Sequence, residues 1–451
     1  MSVPHALAAG AEALLAPRQE QRILPGLERM QRALDALGRP ERAFTSVLVL
    51  GTNGKGSTAA LLSGILQAHG IRVGLYTSPH LVALEERIQT DGAPIARSRL
   101  ADLVADLNSF PDLSYFEVLT CAAVLEFAER EVDVAVMEAG LGGRWDASNA
   151  VDPTVALLTN VGTDHQRWLG ESRIAIAAEK AAALRGRAAI VSAWDPEVEP
   201  TIRAAADPHT PLSLASEWAT VRADSSQLTA DSRVPNPERE GERKGSCELS
   251  AVSCQLAARQ RVSIRVGQVA ATVMLPLAGR HQRTNLELAL AGLAALARFD
   301  LAPAPSADAI RRGIEGVSWP GRLQWCTRGA RRLLLDGAHN REAIAALAGA
   351  LDEMGLSCKL HLLFSCLDDK PLDAMAALLR PRVVGVTVAP IRSPRARTLD
   401  DLAAAFPGCR QATSVADALL DLQPGHPTLV TGSLRLVGEV LAEIGETDGR
   451  A

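Results

Sequence analysis

The sequence predicts an α/β protein of two domains, each built on a mainly parallel sheet covered by helices. Three observations carry that prediction. The chain has 451 residues, too many for one ordinary hydrophobic core. Short runs of β-branched and aliphatic residues alternate with amphipathic stretches, the pattern of strands joined by crossover helices. The alternation also starts afresh after Val317-Ser318-Trp319-Pro320-Gly321-Arg322, which reads as a hinge.

Taken in order, the clearest unit is 45–70. The β-rich run Val47–Leu50 enters a glycine-rich loop, and the amphipathic stretch that follows stops at Gly70, where a helix would end. Residues 71–76 read as the next strand, and further strands fall at 132–140, 154–160 and 188–193. Residues 221–249 are polar and rich in Ser, Pro, Gly and charge, and read as an exposed insertion. Helical periodicity resumes over 284–299, and Pro and Ser open another helix before 316. Beyond the hinge come a strand at 331–336, a helix from Asn340, a strand at 359–366, a helix from Asp369 and a strand at 383–390. A helix at 398–406, a strand at 428–432 and a last helix from Leu434 complete the series. The expected organisation is a nucleotide-binding domain over 1–316, a hinge at 317–322 and a smaller α/β domain over 323–451. Two domains with a hinge favour a ligand bound between them.

Composition narrows the function. A hydrophobic fraction of 47% and a charged fraction of 22% are ordinary for a soluble globular protein. A net charge of −5 argues against nucleic acid as a partner. Seven cysteines without a C-x-x-C pair read as reduced thiols. The N-terminus carries no basic segment followed by an apolar core, and no run approaches the ~18 apolar residues of a membrane span. The expectation is a cytoplasmic monomer with no membrane association.

The loop Gly51-Thr52-Asn53-Gly54-Lys55-Gly56-Ser57-Thr58 can cradle an anion. Its glycines let backbone N–H groups turn inward, the following helix points its positive end at the same place, and Lys55 can reach a terminal phosphate. Ser57 can offer its hydroxyl to Mg²⁺. Val49 stands where a strict phosphate-loop pattern has its first glycine, and Gly56 separates the lysine from the serine. A tight strand-to-helix turn is the competing reading, and the loop does not choose among GTPase, kinase and ligase. Glu138, at the end of a strand, reads either as a Mg²⁺ ligand or as a surface acid. His165, closing the next strand, reads as a metal ligand or as hydrogen-bonded structure. Lys180 reads locally as a solvated helix lysine.

The blocks LGTNGKGSTAALL, YTSPHL, ERI, FEVLT, MEAGLGGRWDASN, LTNVGTDHQRWLG, EKA, LAGRHQRTNLELAL, WPGRL, LLLDGAHN and TGSLRLVGEV together resemble the folylpolyglutamate synthases and dihydrofolate synthases. These form the folate branch of the Mur ligase superfamily. The resemblance implies a Mur-ligase-like fold: a phosphate-loop ATPase domain followed by a smaller Rossmann-like α/β domain. It implies an ATP-dependent ligase that adds L-glutamate to 7,8-dihydropteroate, to reduced folate (poly)glutamates or to both, through an acyl phosphate. By the same resemblance Thr52, Asn53, Gly54, Lys55, Gly56, Ser57 and Thr58 bind ATP, joined by Gln282, Asn285, Arg322, Asp336 and His339. Ser57 and Glu138 would hold one Mg²⁺, and His165 with Lys180, as its carbamate, a second. A carbamate supplies the anionic oxygens that an ammonium beside Mg²⁺ cannot. The chain has Lys180-Ala181-Ala182 where the family usually has Lys-Ala-Gly. Lys55, Lys180, His165 and Arg322 are the implied catalytic set. Ser78, Pro79, His80, Phe116 and Glu117 would line the substrate path, with Arg87 and Arg144 as contacts for substrate carboxylates or as structural ion pairs. Two rival readings are a Mur-like ligase with another carboxylate acceptor and a nucleotide-dependent switch without ligase activity.

Overall fold

The structure, a computed structural model, describes residues 10–18, 24–224, 254–255, 259–328, 331–422 and 425–446. Residues 225–249 of the expected insertion lie outside them. The chain divides into two compact units. The first takes the described residues of 1–220, 265–270 and 284–313, and the second those of 221–264, 271–283 and 314–451. The stretches 221–264 and 271–283, which precede the expected hinge, thus group with the later part of the chain.

In the first unit eight strands form one sheet: β1 (Thr45–Leu50), β2 (Val73–Tyr76), β3 (Ile88–Thr90), β4 (Ala93–Pro94), β5 (Val134–Glu138), β6 (Val155–Leu158), β7 (Ala188–Val191) and β8 (Leu212–Leu214). Their order is β4-β3-β2-β5-β1-β6-β7-β8. Neighbours from β2 to β8 pair in parallel, and β3 and β4 add an antiparallel edge. β5, β6 and β7 are buried along their whole length and β1 at all but its first residue. Continuous apolar runs suit strands covered on both faces. The helix Lys55–Ala68 contributes Leu61, Leu62, Ile65 and Leu66 to the interior, each wholly buried, and each such side chain stabilises the fold by roughly 1.5–3 kcal/mol.

The helix Tyr115–Glu129 opens on a reciprocal cap. Ser114 Oγ accepts from the Glu117 N–H at 3.3 Å, and Glu117 Oε2 accepts from the Ser114 N–H at 2.7 Å. Two backbone donors that a helix start would leave unpaired are thereby satisfied.

β9 (Ala219–Ala223), β11 (Gln260–Val266) and β12 (Val269–Leu275) make a three-stranded sheet in the order β12-β11-β9. β11 alternates buried and exposed residues, as a strand with one wet face does. The second unit's main sheet contains β10 (Cys254–Gln255), β13 (Gln324–Arg328), β14 (Arg331–Leu335), β15 (Leu360–Phe364), β16 (Val383–Val388), β17 (Arg410–Gln411) and β18 (Thr428–Thr431). Its order is β10-β13-β14-β18-β15-β16-β17. The pairs from β14 to β17 are parallel, and β13 and β10 close one edge antiparallel.

Two expected helix starts move. The helix expected from Thr284 begins at Arg280 and runs to Arg298; its first turn is polar, so apolar periodicity does not register it. The helix expected from Asp369 begins at Leu372, because Pro371 disfavours helical backbone at Lys370. The helix from Asn340 starts as expected, with the Asn340 side chain accepting from the Ala343 N–H at 2.9 Å.

Ser114→Ala should remove one half of the reciprocal cap, costing about 1 kcal/mol. A drop of roughly 2–4 °C in the first unit's melting transition, followed by calorimetry, is the expected result.

Candidate active site

The strand order β5-β1-β6 sets the candidate residues side by side. Val49 pairs with Glu138, and Leu50 pairs with Leu158, so three neighbouring strands end at one level. Their carboxyl ends deliver Glu138, the 51–58 loop and Thr159–His165 to one edge, where open α/β sheets bind their ligands.

The loop can exist only with glycine at two points. Gly51 has φ +140° and Gly54 φ +87°. A Cβ on Gly51 would lie 1.8 Å from Thr159 Oγ1, and one on Gly54 would lie 2.4 Å from Asn285 Oδ1. Asn285, read from sequence alone as a helix cap, instead lies within the helix Arg280–Arg298, against the phosphate loop. Gly54 caps a 14-residue helix whose first turn holds Gly56, Ser57 and Thr58, all buried. The buried Thr58 hydroxyl, in the first turn of this helix, has no hydrogen-bond partner among the described residues. Lys55 Nζ rests 3.3 Å from the Thr52 carbonyl.

Lys180 overturns its local reading as a solvated lysine. It is 4% exposed, and its Nζ donates to the Gly51 carbonyl at 2.8 Å. Burial, with a smaller push from Lys55, lowers the pKa of its amine to about 7, against an opposing pull from Asp164 and Asp146. Ala182 sits at φ −62° and ψ −13°, right-handed backbone open to any residue, so alanine in place of the family glycine is unstrained.

Glu138 is buried, and its Oε2 accepts from the Ser78 N–H at 3.1 Å. This ties the Thr77–Leu81 segment, with its cis Ser78–Pro79 bond, to the end of β5. Arg87 is 3% exposed; its Nε donates to His80 Nδ1 at 2.9 Å, and its guanidinium lies 5.5 Å from the Tyr115 ring centre. The Phe116 ring packs 5.6 Å from Tyr76 and presses on Gly140. Glu117 serves the helix cap and pairs with Arg29 at 3.0 Å. Arg144 is bound to the helix Arg173–Ala181, through its N–H to the Glu179 carbonyl at 2.9 Å and its Nε to the Glu179 carboxylate at 3.3 Å. Both carry structural pairs.

His165 adopts φ +55°, and its N–H donates to Asp164 Oδ1 at 2.8 Å. One residue missed from sequence is Asp146, whose buried carboxylate accepts from the N–H groups of Leu141 and Ser148 and from the Ser148 hydroxyl. Burial raises its pKa, and these bonds and Lys55 counter that. The signal was present in the turn-forming run Gly142-Gly143-Arg144-Trp145-Asp146.

In the second unit Asp336, read locally as part of a turn, is buried at the end of β14 and accepts from the N–H groups of Leu323 (3.0 Å) and Ala338 (2.9 Å). Burial raises its pKa, opposed first by Arg322. His339 Nδ1 lies 2.8 Å from the Gly337 carbonyl. Gln282 is 2% exposed. Its neighbour His281 is held near pKa 4 by burial, then by Arg322 and Arg283.

A glycine cradle at a strand-to-helix turn, with a buried lysine on its first carbonyl, is the arrangement of an anion-binding site in an α/β nucleotide-binding fold. Residues 49–293 match the Mur ligase middle domain, and residues 321–434 match the Mur ligase glutamate ligase domain. The dihydrofolate synthase/folylpolyglutamate synthase of Mycobacterium tuberculosis is 34% identical, over 96% of this chain and 90% of that protein. The probable bifunctional folylpolyglutamate synthase/dihydropteroate synthase of Haloferax volcanii is 33% identical over 92% of this chain, which spans 48% of that longer protein. Among solved structures, Escherichia coli FolC in complex with DHPP and ADP has a TM-score of 0.79 at 27% identity, over 98% of this chain and 99% of that one. A bifunctional folylpolyglutamate synthase/dihydrofolate synthase with Mn, AMPPNP and L-glutamate bound has a TM-score of 0.75 at 28% identity, over 97% and 98%. The chain belongs to the folylpolyglutamate synthase/dihydrofolate synthase family, and it is an ATP-dependent ligase. No helix among the described residues is long and apolar enough to cross a membrane.

The Lys180 amine gives a signed pH dependence. Between its folded value near 7 and its ordinary 10.5, the unfolded chain holds a proton that the folded chain does not. Wild-type stability therefore gains with rising pH across that window and carries the full penalty below it. In carbon-dioxide-free buffer, the melting temperature of Lys180→Met relative to wild type should shift in wild type's favour as pH rises from about 7 to 10. A difference flat with pH would contradict a deprotonated buried amine.

Proposed function

We propose that this chain joins L-glutamate to the carboxylate of 7,8-dihydropteroate and of reduced folate (poly)glutamates, cleaving ATP to ADP and phosphate. The observation that carries this reading is the Lys180 amine, buried on the Gly51 carbonyl of the phosphate loop with its pKa pulled down to about 7, so that a large share of it is uncharged near neutral pH. A neutral buried amine beside Lys55 can take up carbon dioxide, losing a proton and forming a carbamate whose negative charge Lys55 would stabilise.

The acceptor carboxylate is a poor electrophile until activated. Its oxygen would attack the γ-phosphorus with loss of ADP, giving an acyl phosphate; the glutamate amine would then form the amide and release phosphate and a proton. The N–H groups of Gly54–Ser57 and the ammonium of Lys55 would receive the charge that develops on the phosphoryl oxygens. Gln282, Asn285, Asp336 and His339 are the further nucleotide residues of this reading. The guanidinium of Arg322 is suited to paired phosphate oxygens. The buried hydroxyls at Ser57 and Thr58 and the buried carboxylate of Glu138 are hard oxygen donors that fit a divalent cation. Two sites are proposed, one held by Ser57 and Glu138 and one by His165 and carbamylated Lys180. Bound there, the cation would neutralise phosphate charge. Ser78, Pro79, His80, Arg87 and Phe116 form the proposed acceptor wall. Glu117 supports that wall through the cap of its own helix, and Arg144 through its pair with Glu179 of the helix Arg173–Ala181. We take the working species to be a monomer.

Incubation with ATP, Mg²⁺, L-glutamate and either acceptor, followed by mass spectrometry, tests the reading. Both acceptors should gain one glutamyl unit per ADP formed. Nucleotide binding with neither acceptor extended would favour another carboxylate or a switch without ligase activity. Exposure to ¹³C-labelled carbon dioxide should give one carbamate resonance that Lys180→Ala lacks, and that variant should lose roughly 10²-fold or more in kcat.

A further inference from the structure

We propose that Asn160 and Thr159 are positioning residues that fix the backbone of Asn53 and thereby preset the phosphate loop. The inference rests on the reading that this loop binds ATP.

Asn160 makes two bonds to a single residue of the loop. Its Nδ2 donates to the Asn53 carbonyl at 2.9 Å, and its Oδ1 accepts from the Asn53 N–H at 3.0 Å. The orientation of the amide is fixed by this network, because the flipped form would set donor against donor and acceptor against acceptor. Thr159 Oγ1 donates to the same Asn53 carbonyl at 2.7 Å. The backbone follows: the Thr52 N–H donates to the Asn160 carbonyl at 3.0 Å, and Thr52 Oγ1 accepts from the Gly162 N–H at 2.9 Å.

The consequence is electrostatic. A phosphate cradle works when successive N–H groups face the anion and carbonyls face away. With Gly51 and Gly54 both at positive φ, the backbone between them can rotate, and a carbonyl turned inward would repel phosphate oxygens. Two donors occupy both lone pairs of the Asn53 carbonyl and pin it against β6's end, on the side of Thr159 and Asn160. Asn160 is itself exposed, so core packing does not account for a side chain that engages both backbone polar groups of one residue.

The test titrates Mg-ATP into wild type, Asn160→Ala, Thr159→Val and Thr159→Ser by calorimetry, and measures KM for ATP, glutamate and acceptor. Asn160→Ala and Thr159→Val should each weaken Mg-ATP binding roughly tenfold. Thr159→Ser keeps the hydroxyl and should stay near wild type, and KM for glutamate and acceptor should not move. Melting temperature should change little for the exposed Asn160, since surface substitutions usually shift stability by only about 0.5 kcal/mol or less. Unchanged Mg-ATP binding in both deletion variants would overturn the inference. So would a parallel rise in all three KM values, or a Thr159→Ser as weak as Thr159→Val. Failure of wild type itself to bind Mg-ATP would instead remove the ligase reading on which the inference stands.

Discussion

The hydrogen bond from the buried Lys180 amine to the Gly51 carbonyl is the interaction on which the rest of the first unit's site depends. It fastens the helix Arg173–Ala181 to the first residue of the phosphate loop, 129 positions away in sequence. The same helix holds the Arg144 loop through the Glu179 carbonyl and carboxylate. One turn of helix therefore sets the spacing between the loop after β1 and the loop after β5. The parallel register of β5-β1-β6 fixes the strands, but only such contacts beyond the sheet fix the loops relative to one another.

That arrangement explains why a lysine belongs at a place where a charge is costly. An ammonium at this depth would face the Lys55 ammonium and a low-dielectric wall, and both effects drive the proton off. The deprotonated amine still has two N–H bonds, one of which satisfies the Gly51 carbonyl. Burial thus leaves the geometry intact while bringing the amine's pKa down to about 7, against the opposing pull of Asp164 and Asp146.

The strands were legible because continuous apolar runs of four to six residues leave little choice in a parallel sheet, and β1, β5, β6 and β7 fall where those runs lie. The phosphate loop was legible from Gly51 and Gly54, whose positive φ values are what glycine permits. Lys180 was not, because helical spacing says which face of a helix a residue occupies but not what covers that face. Asn285 and Asp336 were hidden for a related reason. A local reading assigns Asn to caps and Asp-Gly to turns, and only tertiary packing puts one against Gly54 and buries the other among N–H donors. The run of family-like blocks supplied for these residues what local pattern could not.

Glu117 and Arg144 show the opposite case, in which belonging to a family block says nothing about which atoms are spent. The Glu117 carboxylate accepts from the Ser114 N–H and pairs with Arg29, which in turn donates to the Leu24 and Gly26 carbonyls. A ligand would have to displace charge-assisted bonds worth about 1.5–3 kcal/mol each before engaging that carboxylate. Arg87 is spent in another way. It is buried, its Nε donates to His80 Nδ1 at 2.9 Å and its guanidinium lies 5.5 Å from the Tyr115 ring centre. One side chain thus ties the Thr77–Leu81 segment to the first residue of the helix Tyr115–Glu129, so the order of that segment follows from tertiary contact and not from its own turn chemistry.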